Sequence, residues 1–191
     1  MDVKPSRQKE KIASRLCYLD KTSVLKKCPP SLWCGIKPRL KLIFGLGNPG
    51  EEYEKTFHNV GDLFVKFLKE KIEAKTLRAS ETKTFMNEIG KEVLKMMKKS
   101  GIKPDEILIA HDDVDIELGY YKISFGKGAA GHKGVESIIK SLGTKNFWRL
   151  RIGIGKKIAG RKQRAGEFVL KKMTKNDLEK IGNVFDQILQ K

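Results

Sequence analysis

The sequence predicts a single α/β domain, a three-layer α/β/α sandwich with a mixed β-sheet. From Lys41 onward, short apolar runs of strand length alternate with longer segments whose apolar residues recur at helical spacing. Such alternation favours helices packed on both faces of a sheet. The 191 residues are enough for one domain with a sizeable core. The composition, 39% hydrophobic and 33% charged, is typical of a soluble globular protein, and no apolar stretch approaches the ~18 residues of a membrane span.

The first half of this region predicts one strand and two helices. Leu42-Ile43-Phe44 is an apolar run closed by glycine, which indicates a buried strand. The first helix follows Asn59, a candidate N-cap, and the second ends at Gly101. The apolar residues at helical spacing are Val60, Phe64, Leu68 and Ile72 in the first helix and Ile89, Val93, Met96 and Met97 in the second.

The second half predicts three strands and two helices. Residues 107–110 form another apolar run, whereas residues 121–125 and 150–154 alternate between apolar and polar side chains. One helix ends at Gly143, and a capping-box pattern at residues 174–177 opens the last helix. The inward-facing residues predicted for these helices are Val135, Ile138, Ile139 and Leu142, then Leu178, Ile181, Phe185 and Ile188.

Residues 1–39 differ from residues 40–191, which we expect to form the domain. The first segment is basic, weakly periodic and contains prolines, so we predict a poorly ordered N-terminal extension. This segment has three other interpretations: an arm that touches RNA, a targeting peptide, or an upstream start codon read as coding sequence. A targeting peptide fits poorly because Asp2, Glu10 and Asp20 spoil its acid-poor composition.

All three cysteines, Cys17, Cys28 and Cys34, lie in this extension. Their spacing contains no close CxxC pair, so it gives little support to a zinc site. An odd number of cysteines without a clear signal peptide indicates reduced thiols and a cytoplasmic location. We expect a monomer with no obligate protein partner and no contact with membranes.

The charge balance points to a polyanionic partner. The formal net charge is +17 and the pI about 9.8. Such an excess attracts nucleic acid first, although solubility alone is the simpler explanation. Charge does not tell which nucleic acid is bound, or whether binding is specific.

A glycine-rich turn follows the first strand. The segment Gly45-Leu-Gly47-Asn-Pro-Gly50 formally matches the dinucleotide fingerprint GxGxxG. That motif needs a helix opening at its third glycine, whereas here the next helix starts only near Asn59. We therefore favour a tight turn at the carboxyl end of a strand, where open α/β sheets place their sites, with Asn48 projecting from it. Asn is also a common turn residue for purely structural reasons.

His58 and an acidic cluster are the candidate catalytic groups. Asp112, Asp113 and Asp115 come after the apolar run at 107–110. A neutral imidazole can take a proton from water, while a carboxylate fixes its tautomer and stabilises the imidazolium. This chemistry needs neither a metal nor a covalent intermediate. The alternatives are a structural histidine and a Mg²⁺ site made by the acids; His111 is the rival histidine, expected to pack inside the protein.

Two further segments carry polar groups next to helix starts. Asn87 ends the sequence Thr84-Phe85-Met86-Asn87 and is a candidate substrate ligand or helix N-cap. The glycine-rich segment 126–134 precedes another helix and includes Lys133. A loop of backbone donors at a helix start suits an anion or a carbonyl oxygen.

These blocks, in this order and spacing, resemble bacterial-type peptidyl-tRNA hydrolases, which cleave the ester joining a stranded peptide to the 3′ end of its tRNA. The resemblance covers roughly residues 40–155. The blocks are FGLGNPGEEYEKTFHNVG (44–61), KTFMN (83–87), AHDDVDIELG (110–119), GHKG (131–134) and LRIGIG (150–155).

The resemblance implies a role for each matching residue and no cofactor or metal. His58 would be the base and Asp112 its orienting acid. The implied substrate-binding residues are Asn48, Tyr53, Met86, Asn87 and Lys133. Lys122 and Arg151 match positions that meet tRNA phosphates, and Lys127 would compensate for Ser124, which replaces a second family lysine.

Three departures from the family keep other functions open. Lys133 stands where the family usually carries asparagine, and lysine can donate hydrogen bonds but not accept them. The chain also looks short between His58 and Asn87 and after Gly155. A non-catalytic RNA-binding relative of the same fold is therefore the second interpretation. A dinucleotide-dependent oxidoreductase is the third, but the expected ribose-binding acid is missing.

Overall fold

The computed structural model describes residues 40–71, 78–80, 82–156, 166 and 168–190, and for 78–80 the backbone only. The predicted extension and its three cysteines lie outside these residues. No helix in the described part of the chain is long and apolar enough to cross a bilayer.

The described strands form one mixed sheet of five strands in the order β2-β1-β3-β5-β4. They are β1 (Leu42–Gly45), β2 (Arg78–Ser80), β3 (Ile107–Glu117), β4 (Tyr121–Phe125) and β5 (Trp148–Gly155). The pairs β1–β2, β1–β3 and β3–β5 are parallel, and only the edge strand β4 runs antiparallel to its neighbour. The predicted mixed sheet is therefore confirmed.

Helices cover both faces of this sheet, which confirms the three-layer architecture. They are α1 (Val60–Lys71), α2 (Ile89–Ser100), α3 (Lys133–Leu142) and α4 (Lys175–Gln190). Helices α1 and α4 pack against one face, where Ile43, Leu108 and Leu150 point. Helices α2 and α3 pack against the other face, reached by the alternate residues Phe44 and Ile109.

Most predicted helix boundaries agree with the structure. Gly101 and Gly143 end α2 and α3 in the left-handed conformation, with φ of 62° and 67°. The Thr174 and Asp177 side chains each accept a hydrogen bond from the other residue's backbone N–H before α4, as a capping box requires. Asn59 differs from the prediction, because it lies in a 3₁₀ turn (Phe57–Asn59) and its side chain bonds a distant loop instead of capping α1.

The main difference lies in β3, which runs to Glu117, far beyond the predicted residues 107–110. The acids 112, 113 and 115 are thus inside the strand and do not follow it. Their side chains alternate between the two faces of the sheet, so they do not form one cluster. The second half of β3 is too polar to be predicted from apolar runs. Its buried side chains are covered by contacts with residues that are distant in sequence.

The parallel pairing of β1 and β3 builds the site. Gly45 pairs with Ala110, and the Leu46 N–H donates to the Ala110 carbonyl at 2.9 Å. The turn after β1 therefore lies beside residues 111–113. Helix α1 approaches closely because Gly45 and Gly61 have no side chains; a Cβ on either would collide with backbone atoms. This contact carries the preceding 3₁₀ turn, with His58, to the same edge.

Candidate active site

Asp112 is the centre of the site. Its Oδ1 accepts two hydrogen bonds, from His58 Nδ1 at 2.8 Å and from His132 Nε2 at 2.9 Å. His58 belongs to the 3₁₀ turn before α1, and His132 immediately precedes α3. The structure thus brings His58 and Asp112 together as the sequence predicts, and adds a second histidine.

The contact with Asp112 determines how the His58 ring is protonated. A carboxylate can only accept hydrogen bonds, so His58 Nδ1 carries the proton in this contact. Nε2 of the neutral ring then keeps its lone pair and can accept a proton. The backbone N–H of His58 donates to the Val169 carbonyl at 2.8 Å, which holds the residue in place.

The two groups shift each other's pKa. Burial acts to lower the pKa of His58, but the hydrogen bond and the negative charge of Asp112 outweigh it, so the pKa is raised above its usual value. Burial acts to raise the pKa of Asp112, but the two histidines that it contacts hold that pKa far below its usual range. Asp112 is therefore a carboxylate in the folded protein near neutral pH.

All three histidines of the chain meet around Asp112. The His132 ring lies 5.0 Å from that of His58 and 4.7 Å from that of His111, measured between centroids. His111 Nδ1 bonds the Asp112 backbone carbonyl at 2.6 Å, and its buried Nε2 has no hydrogen-bond partner among the described residues. Burial, and secondarily the neighbouring His132, holds the pKa of His111 well below its usual value.

Asn48 is held in place by hydrogen bonds with two segments, those of Asn59 and Met86. The Asn59 side chain bonds the Asn48 backbone twice, accepting from its N–H and donating to its carbonyl, both at 2.9 Å. Asn48 Oδ1 accepts from the Met86 N–H at 3.0 Å. These bonds occupy the Asn48 side-chain oxygen and, in the described part of the chain, leave its Nδ2 as the group able to donate to a ligand.

The segment around Asn87 combines a buried methionine with exposed groups. Met86 is buried against Gly134 at the start of α3, where a Cβ would collide with its sulfur atom. The exposed Asn87 accepts from the Ser137 hydroxyl through its backbone carbonyl at 2.8 Å. Phe85 is exposed and meets the Tyr53 ring edge-on, with centroids 6.5 Å apart.

Lys133 points into solvent. Its side chain is 77% exposed, and Nζ lies 3.5 Å from Glu136 Oε2 on the same helix. Although Lys133 follows His132 directly in sequence, its ammonium contacts no part of the Asp112 cluster that the structure describes.

The predicted phosphate-binding residues lie around the β4–β5 edge of the sheet. Lys122 and Arg151 are partners across these two strands, and both Lys122 and Lys127 are exposed. Arg151 Nε donates to Asp113 Oδ2 at 2.6 Å. Asp113 Oδ1 accepts from the Asp115 N–H at 2.9 Å, so both oxygens of this acid are engaged within the protein.

Comparison with known proteins shows the family to which the chain belongs. The model of the peptidyl-tRNA hydrolase family matches residues 42–191. The chain belongs to the peptidyl-tRNA hydrolase family. A peptidyl-tRNA hydrolase of Aquifex aeolicus (strain VF5) is 41% identical over 135 residues, covering 61% of this chain and 70% of that protein. One from Coxiella burnetii (strain CbuG_Q212) is 40% identical over 155 residues, covering 72% and 81%.

A solved structure agrees with this assignment. The crystal structure of peptidyl-tRNA hydrolase from Acinetobacter baumannii superimposes with a TM-score of 0.72 at 36% identity. The match covers 80% of this chain and 86% of that one. The α/β fold of the family is thus shared over most of the chain.

One set of side chains has the composition of a metal site. The ligand atoms of His58, Asp112 and His132 all lie within 4.8 Å of one another. Binding an ion among them would require both imidazoles to give up the N–H that now points at Asp112 Oδ1. It would also break the bond from the Val135 N–H to His132 Nδ1, at 3.4 Å. The hydrogen bonds therefore fit a proton-transfer site better than a metal centre.

The sequence pattern of this peptidyl-tRNA hydrolase family member does not mark His132 or Asn59 as site residues. The sequence predicts a loop of backbone donors around His132 and a helix cap at Asn59. A polar residue next to each motif residue was the only signal. Arg149 on β5 is also deeply buried, at 2% exposed, and its Nε has no hydrogen-bond partner among the described residues.

Proposed function

We propose that this chain hydrolyses the ester bond of peptidyl-tRNA, with His58 as the general base that activates water. The observation that carries the proposal is the 2.8 Å bond between His58 Nδ1 and Asp112 Oδ1, which leaves Nε2 to accept a proton. The family membership supports the substrate class. The reaction frees the tRNA and releases the peptide as an acid.

The proposed reaction has two proton transfers. His58 Nε2 takes a proton from water as the water oxygen bonds to the ester carbonyl carbon. The tetrahedral intermediate then collapses, the bond to the ribose oxygen breaks, and the His58 imidazolium returns its proton to that oxygen. The Asp112 carboxylate stabilises the imidazolium between these steps and does not become protonated.

The remaining site residues position the substrate in this proposal. Asn48 offers its Nδ2 and Asn87 its exposed amide, and both can donate to carbonyl oxygens of the peptide portion. Met86 and Tyr53 contribute apolar surface beside them. Lys133 supplies a donor at the rim, which suits a phosphate or carbonyl that stays in water.

The proposed tRNA surface comprises Lys122, Lys127 and Arg151, which we call the basic face. Its support is the net charge of +17 and the position of Lys122 next to Arg151 across β4 and β5. These cations would hold the tRNA backbone without reading its sequence. We further propose that the protein acts as a cytoplasmic monomer without a cofactor.

Release of labelled peptide from a model peptidyl-tRNA by the purified full chain tests this function. The wild-type protein should turn over, and His58→Ala should lose on the order of 10²-fold or more in kcat while still binding tRNA. Exposed Lys180→Ala on α4 serves as the matched control and should keep the wild-type rate. tRNA binding without turnover by the wild-type chain would instead support the non-catalytic RNA-binding interpretation.

A further inference from the structure

His132 uses both of its ring nitrogens in the folded chain. Nδ1 accepts the Val135 N–H at 3.4 Å, which makes His132 the N-cap of α3. Nε2 contacts Asp112 Oδ1 at 2.9 Å. Histidine is not among the preferred N-cap residues Ser, Thr, Asp and Asn, so capping alone does not explain its presence here.

The cap determines the His132 tautomer. The Val135 backbone N–H can only donate, so His132 Nδ1 must present its lone pair. In the neutral ring the proton then sits on Nε2, facing Asp112. His132 Nε2 therefore donates a hydrogen bond to the same oxygen, Asp112 Oδ1, that accepts the hydrogen bond from His58 Nδ1.

We propose that His132 is a positioning residue that acts on the base through Asp112. By donating to Oδ1 it offsets part of the negative charge that His58 feels, and it attaches the carboxylate to the start of α3. This inference rests on the proposed role of His58. Without the His132 bond, Asp112 would hold the His58 proton more tightly and the base would work only at higher pH.

Among the residues that the structure describes, the other charged or titratable groups near His58 and Asp112 leave His132 as the one able to exert this effect. The His58 ring is faced by Asp112, which belongs to β3, and by the ring of His132, which lies just before α3. His111 is buried and directed at the Asp112 backbone. Asp113 is bonded to Arg151, and Lys133 lies next to Glu136 in solvent, so neither charge meets the His58 ring.

Two substitutions separate the two bonds of His132. In His132→Asn, Oδ1 lies as many bonds from Cα as the histidine Nδ1, so it can still cap α3, but the side chain is too short to reach Asp112. In His132→Gln, Nε2 lies as many bonds away as the histidine Nε2 and can still donate to Asp112, while the cap acceptor is lost.

The test is the pH dependence of kcat/KM for wild type and both variants on peptidyl-tRNA. The acidic limb is the part of the pH profile in which the rate falls because His58 becomes protonated. His132→Asn should move this limb to higher pH by roughly half a unit to one unit, because a raised pKa keeps His58 protonated up to higher pH. His132→Gln should keep the wild-type limb but melt roughly 2–4 °C lower, as expected for a lost cap. An unchanged or lowered limb in His132→Asn overturns the proposal. Equal limb shifts in both variants overturn it too, since His132→Gln keeps the donor to Asp112 and the loss of that bond would then not be the cause.

A second readout does not depend on turnover. The ring resonances of the three histidines of wild type, and of the two that remain in each variant, can be followed by NMR against pH. The pKa of His58 should rise in His132→Asn but not in His132→Gln. If this shift occurs while the wild-type chain releases no peptide, the proposed function fails and the positioning role stands. If the wild-type chain is active but the pKa of His58 does not rise in His132→Asn, the positioning role fails alone.

Discussion

Asp112 and Asp113 are neighbours on β3, yet they contact different kinds of partner. Asp112 accepts hydrogen bonds from two imidazole rings, a kind of side chain that can pass a proton on. Asp113 faces the other side of the sheet and bonds Arg151, whose charge is permanent. Asp112 and Asp113 are neighbours in sequence, but strand alternation places their side chains on opposite faces of the sheet. The Asp112 side can therefore take part in proton transfer, whereas the Asp113 side can only hold a cation.

The same comparison separates the proposed catalytic groups from the proposed tRNA surface. The Asp112 side contains buried or half-buried imidazoles and the fixed Asn48 turn. The Asp113 side leads through Arg151 to the basic face. Substitutions on the first side should therefore change turnover, and those on the second should change affinity and its salt dependence.

Replacing each acid by asparagine should give the largest contrast. Asp112→Asn should lower kcat/KM on the order of 10²-fold or more, because the His58 tautomer and its imidazolium lose their support. Asp113→Asn should cost about 1–3 kcal/mol of unfolding free energy through the lost charged hydrogen bond to Arg151, while turnover stays within a few-fold. Kinetics and denaturant melts on both variants measure this, and equal losses of turnover would erase the distinction.

The second contrast concerns affinity. Log affinity for tRNA should fall linearly with log salt, and Arg151→Ala should flatten that slope by roughly one phosphate contact with kcat nearly unchanged. Lys175→Ala, which replaces an exposed residue at the start of α4, is a control that should leave the slope as in wild type. A salt-insensitive affinity would argue against an electrostatic basic face.

Lys133 should give the smallest effect. Its exposed ammonium next to Glu136 is well screened by solvent, so Lys133→Asn should change KM by a few-fold at most and leave the acidic limb in place. Steady-state kinetics across pH provide the measurement. A shifted limb would mean that the ammonium swings toward His58 during catalysis.

Local sequence signals predicted the helices and the layered fold well. Helices α2 and α3 show apolar residues at helical spacing and end at glycines. Both features are local in sequence, so the sequence predicts where these helices form and where they end. The length of β3 was not predictable in this way, because its second half owes its pairing to β5 and its burial to distant residues. Pairing partners across a sheet leave little trace in the local pattern.

The site was predictable where a motif carried it and not where a long-range bond did. His58 and Asp112 are 54 positions apart, and only the resemblance to a family joined them in advance. Asn59 and His132 looked like ordinary boundary residues. In the structure they bond Asn48 and Asp112, which the fold alone brings within reach.

The most direct test of the account follows the ring nitrogens of His58 by NMR in wild type and in Asp112→Asn. In wild type, the neutral ring should carry its proton on Nδ1, and the pKa should lie above the usual histidine value because Asp112 stabilises the charged ring. In Asp112→Asn the pKa should fall, since burial then acts without an opposing charge. A wild-type ring protonated on Nε2, or an equal pKa in both proteins, would contradict the claim that Asp112 prepares His58 as the base.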